Sequence, residues 1–328
     1  MSFVTLKQIA KIAGVSVNTV SRALNGKPDV NENTRQKVLE VAKRLGYVPN
    51  RSALSLKRQK TLIVGVIVED NANPFWAEVL KGVESAAKRH GYHVILVNTS
   101  RNYQEEVEGI RMLLERRVDG LLIAPSQERY DDLYELKRLR VAFVIMGRHI
   151  KEFEGFIPMV YSDEIQGGYN ATIHLIERGC KNIAFIGAQS YNTASTERCE
   201  GYKRALKEAG MKINSSLIKT GGIEIDGGYE STMELIKSGV EFDGIFVYND
   251  LMAFGVLKAL KEVNLQVPRD VKVVGYDDIA YSSIITPSLT TMKMKKRTIG
   301  RLSFELLLKP EDKVVLKTEL IVRDSTNG

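Results

Sequence analysis

Cysteine is almost missing from this chain. Only Cys180 and Cys199 occur in 328 residues, in no spacing that would ligate zinc or frame a disulfide network. His90, His93, His149 and His174 are scattered and give no metal-binding pattern, so they read as structural or surface residues. No run of eighteen or more apolar residues appears, and the first residues lack the basic-then-apolar layout of an export signal. Enzyme fingerprints are missing too: no G-x-x-x-x-G-K-[ST] phosphate loop, no G-x-G-x-x-G after a strand, no G-x-S-x-G elbow. The expectation is a cytoplasmic chain with reduced thiols, no membrane segment, no metal, no cofactor and no catalytic residues.

Length and charge say more. The chain is too long for one ordinary domain, and 44% hydrophobic residues can bury a sizeable core. The net charge of +7 is concentrated: residues 1–60 hold 12 basic and 3 acidic side chains, or +9, while the other 268 hold 35 and 37, or −2. A solubilising surface would spread its charge evenly. A basic module on a near-neutral body instead implies a polyanion-binding head joined to something else.

Three short helices are predicted in that head. Thr5-Leu6-Lys7-Gln8 forms a capping-box pattern, opening a helix that runs to about Ile12 and ends near Gly14. Ser16 is a plausible N-cap for a second helix, about Val17–Leu24, stopped by Asn25-Gly26. A third starts near residues 31–33, and Val38, Val41, Ala42 and Leu45 make one buried stripe before Gly46. Two short helices joined through a glycine turn have the plan of a helix-turn-helix, whose second helix enters the major groove. Val20 and Leu24 should face inward, leaving Val17, Asn18, Ser21 and Arg22 outward. Short side chains let the backbone approach base edges, Asn can pair with adenine, and Arg can read guanine bidentately.

"VTLKQIAKIAGVSVNTVSRALNG", followed by "TRQKVLEVAKRLGYVPN" and "NRSALSLKRQKT", closely resembles the head of the lactose-repressor (LacI/GalR) family of bacterial transcription factors, and a looser likeness extends across the chain. The resemblance implies DNA contacts from Thr5, Ser16, Thr19 and Asn25 beside the four outward residues. It also implies a hinge helix at about 50–58 with contacts from Asn50, Ala53 and Leu56. Asn50 can cap the run Arg51–Arg58, but so short a run cannot hold a helix alone in water. In the family this segment orders on operator DNA, pairs with its dimer mate and drives a leucine into the minor groove. Leu56 falls at that position, as an apolar wedge that kinks the duplex.

From Thr61 the period changes. Apolar runs "LIVGVIV", "HVILV", "GLLIA", "VAFVIM", "NIAFIGA", "GIFVYND" and "VKVVGYDD" alternate with helical segments, predicting two doubly wound α/β lobes with parallel sheets. "KGVESAAKRHGY" and "EGYKRALKEAGM" share Gly, Ala, Lys and Gly at equal offsets, a weak internal repeat opening each lobe. The resemblance implies a periplasmic-binding-protein-like body. The expected boundaries are a head at 1–60, lobe 1 at about 61–160 and 291–319, and lobe 2 at about 161–290 and 320–328. "RTIGRLSFELLL" should be a packed helix of lobe 1 after a crossover.

Ligands of such folds bind outside the carboxyl ends of parallel strands. Those ends supply Glu69, with Asn73, Phe75 and Trp76 just after, then Ser126, Arg148, Asn249-Asp250 and Asp277-Asp278. Carboxylates, amides and ring faces suit a polyhydroxylated ligand. The resemblance adds Arg198 as an effector-contacting arginine, supports Asn249 and Asp277, and places Phe75 near an aromatic contact. Asp163 reads as an N-cap rather than a ligand contact, and Asp250 can cap the next helix while Asn249 faces the cleft. Trp76 is as well suited to packing as to ligand contact. One departure stands at Gly147 of "VIMGRH", where many members carry an acidic residue, which puts a hydroxyl contact there in question. The reading is a ligand-controlled transcriptional regulator, most simply a repressor, bound as a homodimer to double-stranded, pseudo-palindromic operator DNA, with a sugar favoured over a purine as effector. With no further heptad helix after "LIVRDSTNG", a dimer is expected rather than a tetramer. A sugar kinase with a DNA-binding head would need phosphate-loop and metal-binding motifs that are not found. An export-dependent binding protein would have no use for the head, nor an architectural DNA protein for the body.

Overall fold

The computed structural model describes residues 4–48, 60–126 and 128–327. They fall into two compact units, Met1–Thr61 and Leu62–Gly328. In the first, α1 (Leu6–Ala13), α2 (Val17–Leu24) and α3 (Glu32–Arg44) pack around Ile9, Ala13, Val20, Ala23 and Val38. The start of α1 is a capping box: Thr5 N–H donates to Gln8 Oε1 at 2.7 Å and Gln8 N–H to Thr5 Oγ1 at 3.4 Å. Gly14, at φ +69°, turns the chain toward α2. Ser16 Oγ then accepts from Thr19 N–H at 3.0 Å, satisfying a donor the helix cannot reach. The hinge segment, with Asn50, Ala53 and Leu56, lies outside the described residues.

The second unit holds two six-stranded sheets. The first contains β1 (Ile63–Val68), β2 (His93–Asn98), β3 (Gly120–Ile123), β4 (Phe143–Met146), β5 (Met159–Ser162) and β11 (Lys313–Leu316), in the order β11-β5-β4-β3-β1-β2, all parallel. The second contains β6 (Ile183–Gly187), β7 (Ile218–Thr220), β8 (Gly244–Val247), β9 (Lys272–Asp277), β10 (Thr290–Lys293) and β12 (Glu319–Ile321), in the matching order β12-β10-β9-β8-β6-β7. Its last strand alone runs antiparallel. Central strands such as β1, β3 and β8 are buried along nearly their whole length, which is why they read as unbroken apolar runs.

The chain passes between lobes three times, after β5, after β10 and between β11 and β12. Three expected edges therefore shift by a few residues. β5 continues to Ser162 in the first sheet, past the boundary near 160; β10, Thr290–Lys293, stays in the second sheet past the boundary near 291; and β12 opens at Glu319 in the second sheet, ahead of the boundary near 320. A strand cannot be divided between sheets without breaking its ladder, so each crossover waits for the strand to end. Helix Lys296–Leu308 packs on helix Pro74–Arg89, as a lobe 1 element should.

Glycines set how the helices cross. A Cβ at Gly82 would lie 2.1 Å from the Arg297 carbonyl oxygen, and one at Gly300 would lie 2.0 Å from that of Val79. Gly168 meets Arg198 and Gly201 meets Ile165 in the same reciprocal way, as Gly228 meets Met252 and Gly255 meets Ile225. Three helix pairs thus touch backbone to backbone. This also accounts for the repeat: Gly82 and Gly201 are crossing points, Ala86 and Ala205 are fully buried one turn later, and Gly91 and Gly210 reverse the chain at φ +74° and +71°. A third copy, Gly255, Ala259, Lys261 and Asn264, escaped sequence comparison because Asn264 takes the glycine's place at φ +61°.

Candidate nucleic-acid interface and ligand cleft

On α2, Val20 and Ala23 are buried and Leu24 is half-buried, while Val17, Asn18 and Arg22 are exposed and Ser21 lies between. The helix therefore presents a small, polar outer face. Several expected DNA contacts have partners of their own: the Thr5 hydroxyl bonds Gln8, Ser16 Oγ lies 2.9 Å from Thr19 Oγ1, and Asn25 Nδ2 donates to the Ser21 carbonyl at 2.7 Å. These groups build the ends of α1 and α2. Arg22 Nη2 donates to Asp29, an ion pair that sequence reasoning missed.

In the body, the expected ligand residues other than Arg198 lie at or just after strand ends of both sheets, and all are buried. Arg148, after β4, pairs with Glu69, after β1; its Nη2 lies 2.9 and 3.1 Å from the two carboxylate oxygens, and Nη1 donates to the Gly147 carbonyl at 3.2 Å. Both side chains are 6% exposed. Removing one partner of such a pair strands a buried charge, at about 3–5 kcal/mol. The Trp76 ring lies 5.6 Å from the Arg148 guanidinium and would sit 3.0 Å from a Cβ at Gly147, whose φ is +73°. A side chain at 147 would crowd the Trp76 ring from a left-handed backbone, which favours glycine where this chain departs from the pattern. Asn73 caps its helix through Phe75 N–H, and Phe75 meets Trp76 edge-on at 4.9 Å.

Across the gap, Arg198 is held from several sides. Nε donates to Glu164 at 2.8 Å, Nη1 donates to the Tyr248 carbonyl, Asp277 lies 4.0 Å from Nη2, and the Tyr276 ring centroid is 3.5 Å away. Burial, opposed by Arg198, pushes the Asp277 carboxyl up to about 7. Asp277 and Asp278 both have positive φ, 110° and 53°, and Lys296 Nζ donates to their carbonyls. Such strained backbone persists only where its surroundings hold it.

One expectation is reversed. Asn249, rather than Asp250, caps the next helix: its Oδ1 accepts from Met252 N–H at 2.8 Å and its Nδ2 donates to the Ile223 carbonyl at 3.0 Å. Asp250 is fully buried and accepts from Ile279 N–H, Ser282 Oγ and Thr291 Oγ1 at 2.9, 2.7 and 2.6 Å. A carboxylate offers more acceptor sites than a single cap uses, so it ties the loops together. Asp163 does cap its helix, through Gln166 N–H at 2.9 Å. Ser126 donates its backbone N–H to Glu106 at 2.6 Å, while its hydroxyl is buried without a hydrogen-bond partner. Burial and the neighbouring Asp132 push Glu106 up to about 8.

Beside the Lys296 bonds to the Asp277 and Asp278 carbonyls, further contacts among the described residues bridge the lobes. His149 lies between Glu154 of its own lobe at 3.1 Å and Glu197 of the other at 2.5 Å, and Arg101 pairs with Asp70 and, across the gap, Glu224. Among the described residues no group of three His, Cys, Asp or Glu could hold a metal ion, and no helix is long and apolar enough to cross a membrane.

Residues 5–50 match the family described as bacterial regulatory proteins, lacI family, and residues 61–323 match periplasmic binding proteins and sugar binding domain of LacI family. The HTH-type transcriptional regulator RegA of Clostridium saccharobutylicum is 37% identical, over 98% of this chain and 99% of its own. The chain belongs to the LacI family. Among solved structures, a lac repressor dimer bound to operator and the anti-inducer ONPF is similar at TM-score 0.88 and 27% identity, covering 99% of both chains. A CelR–cellobiose complex is similar at TM-score 0.76 and 34% identity, covering 98% of this chain and 99% of that one.

This LacI-family protein is therefore a DNA-binding transcriptional regulator and not an enzyme. The structure pairs Arg148 with Glu69, sets Asp277 near Arg198, and uses Asn73 and Asn249 as helix caps. Sequence reasoning passed over Glu164, Tyr248 and Tyr276, which orient Arg198. Their only signal was position: each adjoins a residue already singled out, Asp163, Asn249 or Asp277.

Proposed function

We propose that this regulator is a cytoplasmic repressor, bound as a homodimer to a pseudo-palindromic operator and released or retained according to a sugar in the interlobe cleft. One observation carries the ligand reading. Two buried guanidiniums, Arg148 and Arg198, are each fixed by a buried carboxylate and lined by aromatic rings, with the Asp277 carboxyl near Arg198. Directed donors, an acceptor and ring faces are what a polyhydroxylated ligand requires. Glu69, Phe75 and Ser126 complete the proposed effector site, with the capping residues Asn73 and Asn249 at its edge, where the Asn249 Oδ1 keeps a second lone pair for a ligand hydroxyl. The cellobiose bound by CelR is consistent with this choice.

On the DNA side, Val17, Asn18, Ser21 and Arg22 read bases, Arg22 taking a guanine. Thr5, Ser16, Thr19 and Asn25 position the head against the backbone, and Asn50, Ala53 and Leu56 act through the hinge. The head is 1–60 and the effector core 61–328. A ligand shifts operator affinity only as far as it binds the DNA-competent and incompetent states differently. Binding to a half-site-randomised DNA library, repeated with a panel of sugars and nucleobases, tests this. The expected result is a selected pseudo-palindrome whose affinity one sugar changes. Uniform, salt-dominated binding unaffected by any ligand would overturn the proposal, and a response to a nucleobase alone would replace the sugar.

A further inference from the structure

Residues 1–60 contain three acidic side chains, Asp29, Glu32 and Glu40, in a module carrying +9. Asp29 is paired with Arg22, on the outward face of α2. A carboxylate there opposes the attraction of phosphates, so its presence on a DNA-facing surface calls for a compensating role. Its position is built rather than incidental. Val30 next to it is buried in the head core. Behind the turn, Arg35 Nη2 donates to the carbonyls of Lys27 and Val30 at 2.8 and 3.4 Å, and Lys27 N–H donates back to the Arg22 carbonyl at 3.0 Å. The turn carrying Asp29 is thus fastened to α3 on one side and to the end of α2 on the other.

We propose that Asp29 is a specificity-determining residue that holds the Arg22 guanidinium for end-on recognition of guanine. This rests on the reading of Arg22 given above. One Nη2–H is directed to Asp29, which leaves the second Nη2–H and the Nη1 donors for guanine O6 and N7. The pair is about half exposed, 47% for Arg22 and 49% for Asp29, so a base edge can reach it. Asp29 acts in two ways. It immobilises a long side chain before DNA arrives, and its charge discourages Arg22 from settling on a phosphate instead of a base.

The test compares the full-length wild type with Asp29→Asn, Asp29→Ala and Arg22→Ala on the half-site-randomised duplex library, then measures salt dependence on one random duplex. Arg22→Ala identifies the base position that Arg22 reads. At that position Asp29→Asn should lower the guanine preference by about three- to tenfold, the scale of immobilising one side chain. Preferences at other positions should persist. Binding to random DNA should tighten, with a salt slope steeper by about one as the freed arginine finds a phosphate. A merely structural role would weaken all sequences alike and leave the preference pattern unchanged. Both Asp29 variants keeping the wild-type guanine preference, while Arg22→Ala loses it, would overturn the proposal and leave the Arg22 reading intact. No loss of any base preference in Arg22→Ala would overturn both.

Discussion

Gly168→Ala tests the claim that glycine contacts between helices position the ligand arginine. A methyl group at 168 would lie 2.2 Å from the Arg198 carbonyl oxygen and 2.8 Å from its Cα, both backbone atoms that no rotamer change can move. Ordinary contact begins near 3.4 Å, so helices Glu164–Glu177 and Thr193–Glu208 must part by about 1 Å, an overpacking that costs about 1–3 kcal/mol. The helix preference of Ala over Gly returns at most about 1 kcal/mol. The net loss, about 1–2 kcal/mol, corresponds to a fall in the body's Tm of about 2–8 °C at the usual scale for domains of this size. The Arg198 backbone is what moves, so ligand response should weaken further than stability alone explains, while affinity for random DNA stays at the wild-type level. Gly222→Ala is the control: its nearest neighbour is 3.8 Å away, and its melting should shift little. Calorimetry on the two variants, paired with operator titration at several sugar concentrations, gives both readouts. Gly168→Ala as stable and as responsive as wild type would refute the crossing argument.

The Asp277 carboxyl carries a pH dependence. Its ordinary value of 3.8 rises to about 7 on burial, so between these pH values the folded state keeps a proton that the unfolded state has released. That contribution is full below about 3.8 and is lost as pH rises through about 7. Asp277→Asn should therefore gain stability relative to wild type between pH 5 and pH 8 in urea titrations; an unchanged difference would count against the buried, proton-holding carboxyl. Arg101→Ala removes the pairing with Asp70 and Glu224, and because the arginine is 33% exposed the stability change should stay below about 1 kcal/mol. Faster hydrogen exchange near residues 224–228 is the expected sign of looser lobes, and unchanged exchange would deny the link a role. Ser16→Ala removes the cap on α2 and should cost the head about 1 kcal/mol, weakening every DNA sequence in the same proportion. A loss confined to one base position would instead make Ser16 a base reader.

Local chemistry was legible without the fold. The Thr5–Gln8 box, the turn at Gly14, the Ser16 cap and the stripe Val38, Val41, Ala42 are decided within a few residues, by donors that need acceptors and by helical spacing. The strand–helix alternation and the concentration of charge before residue 61 likewise follow from composition along the chain. Partner choice across long separations was not legible. Asn249 and Asp250 are both able to cap, and only the loops closing over Asp250 with Ile279, Ser282 and Thr291 decide which one does. Arg148 could have paired with many acids, and packing against Trp76 and Glu69 selected one. The repeat marked Gly82 and Gly201 as alike, yet their reason, a backbone from another helix within van der Waals reach, exists only once the helices cross. Sequence determines what each residue can do locally; tertiary structure decides which of several competent partners arrives, because burial makes an unpaired polar group costly and leaves room for few arrangements that pair them.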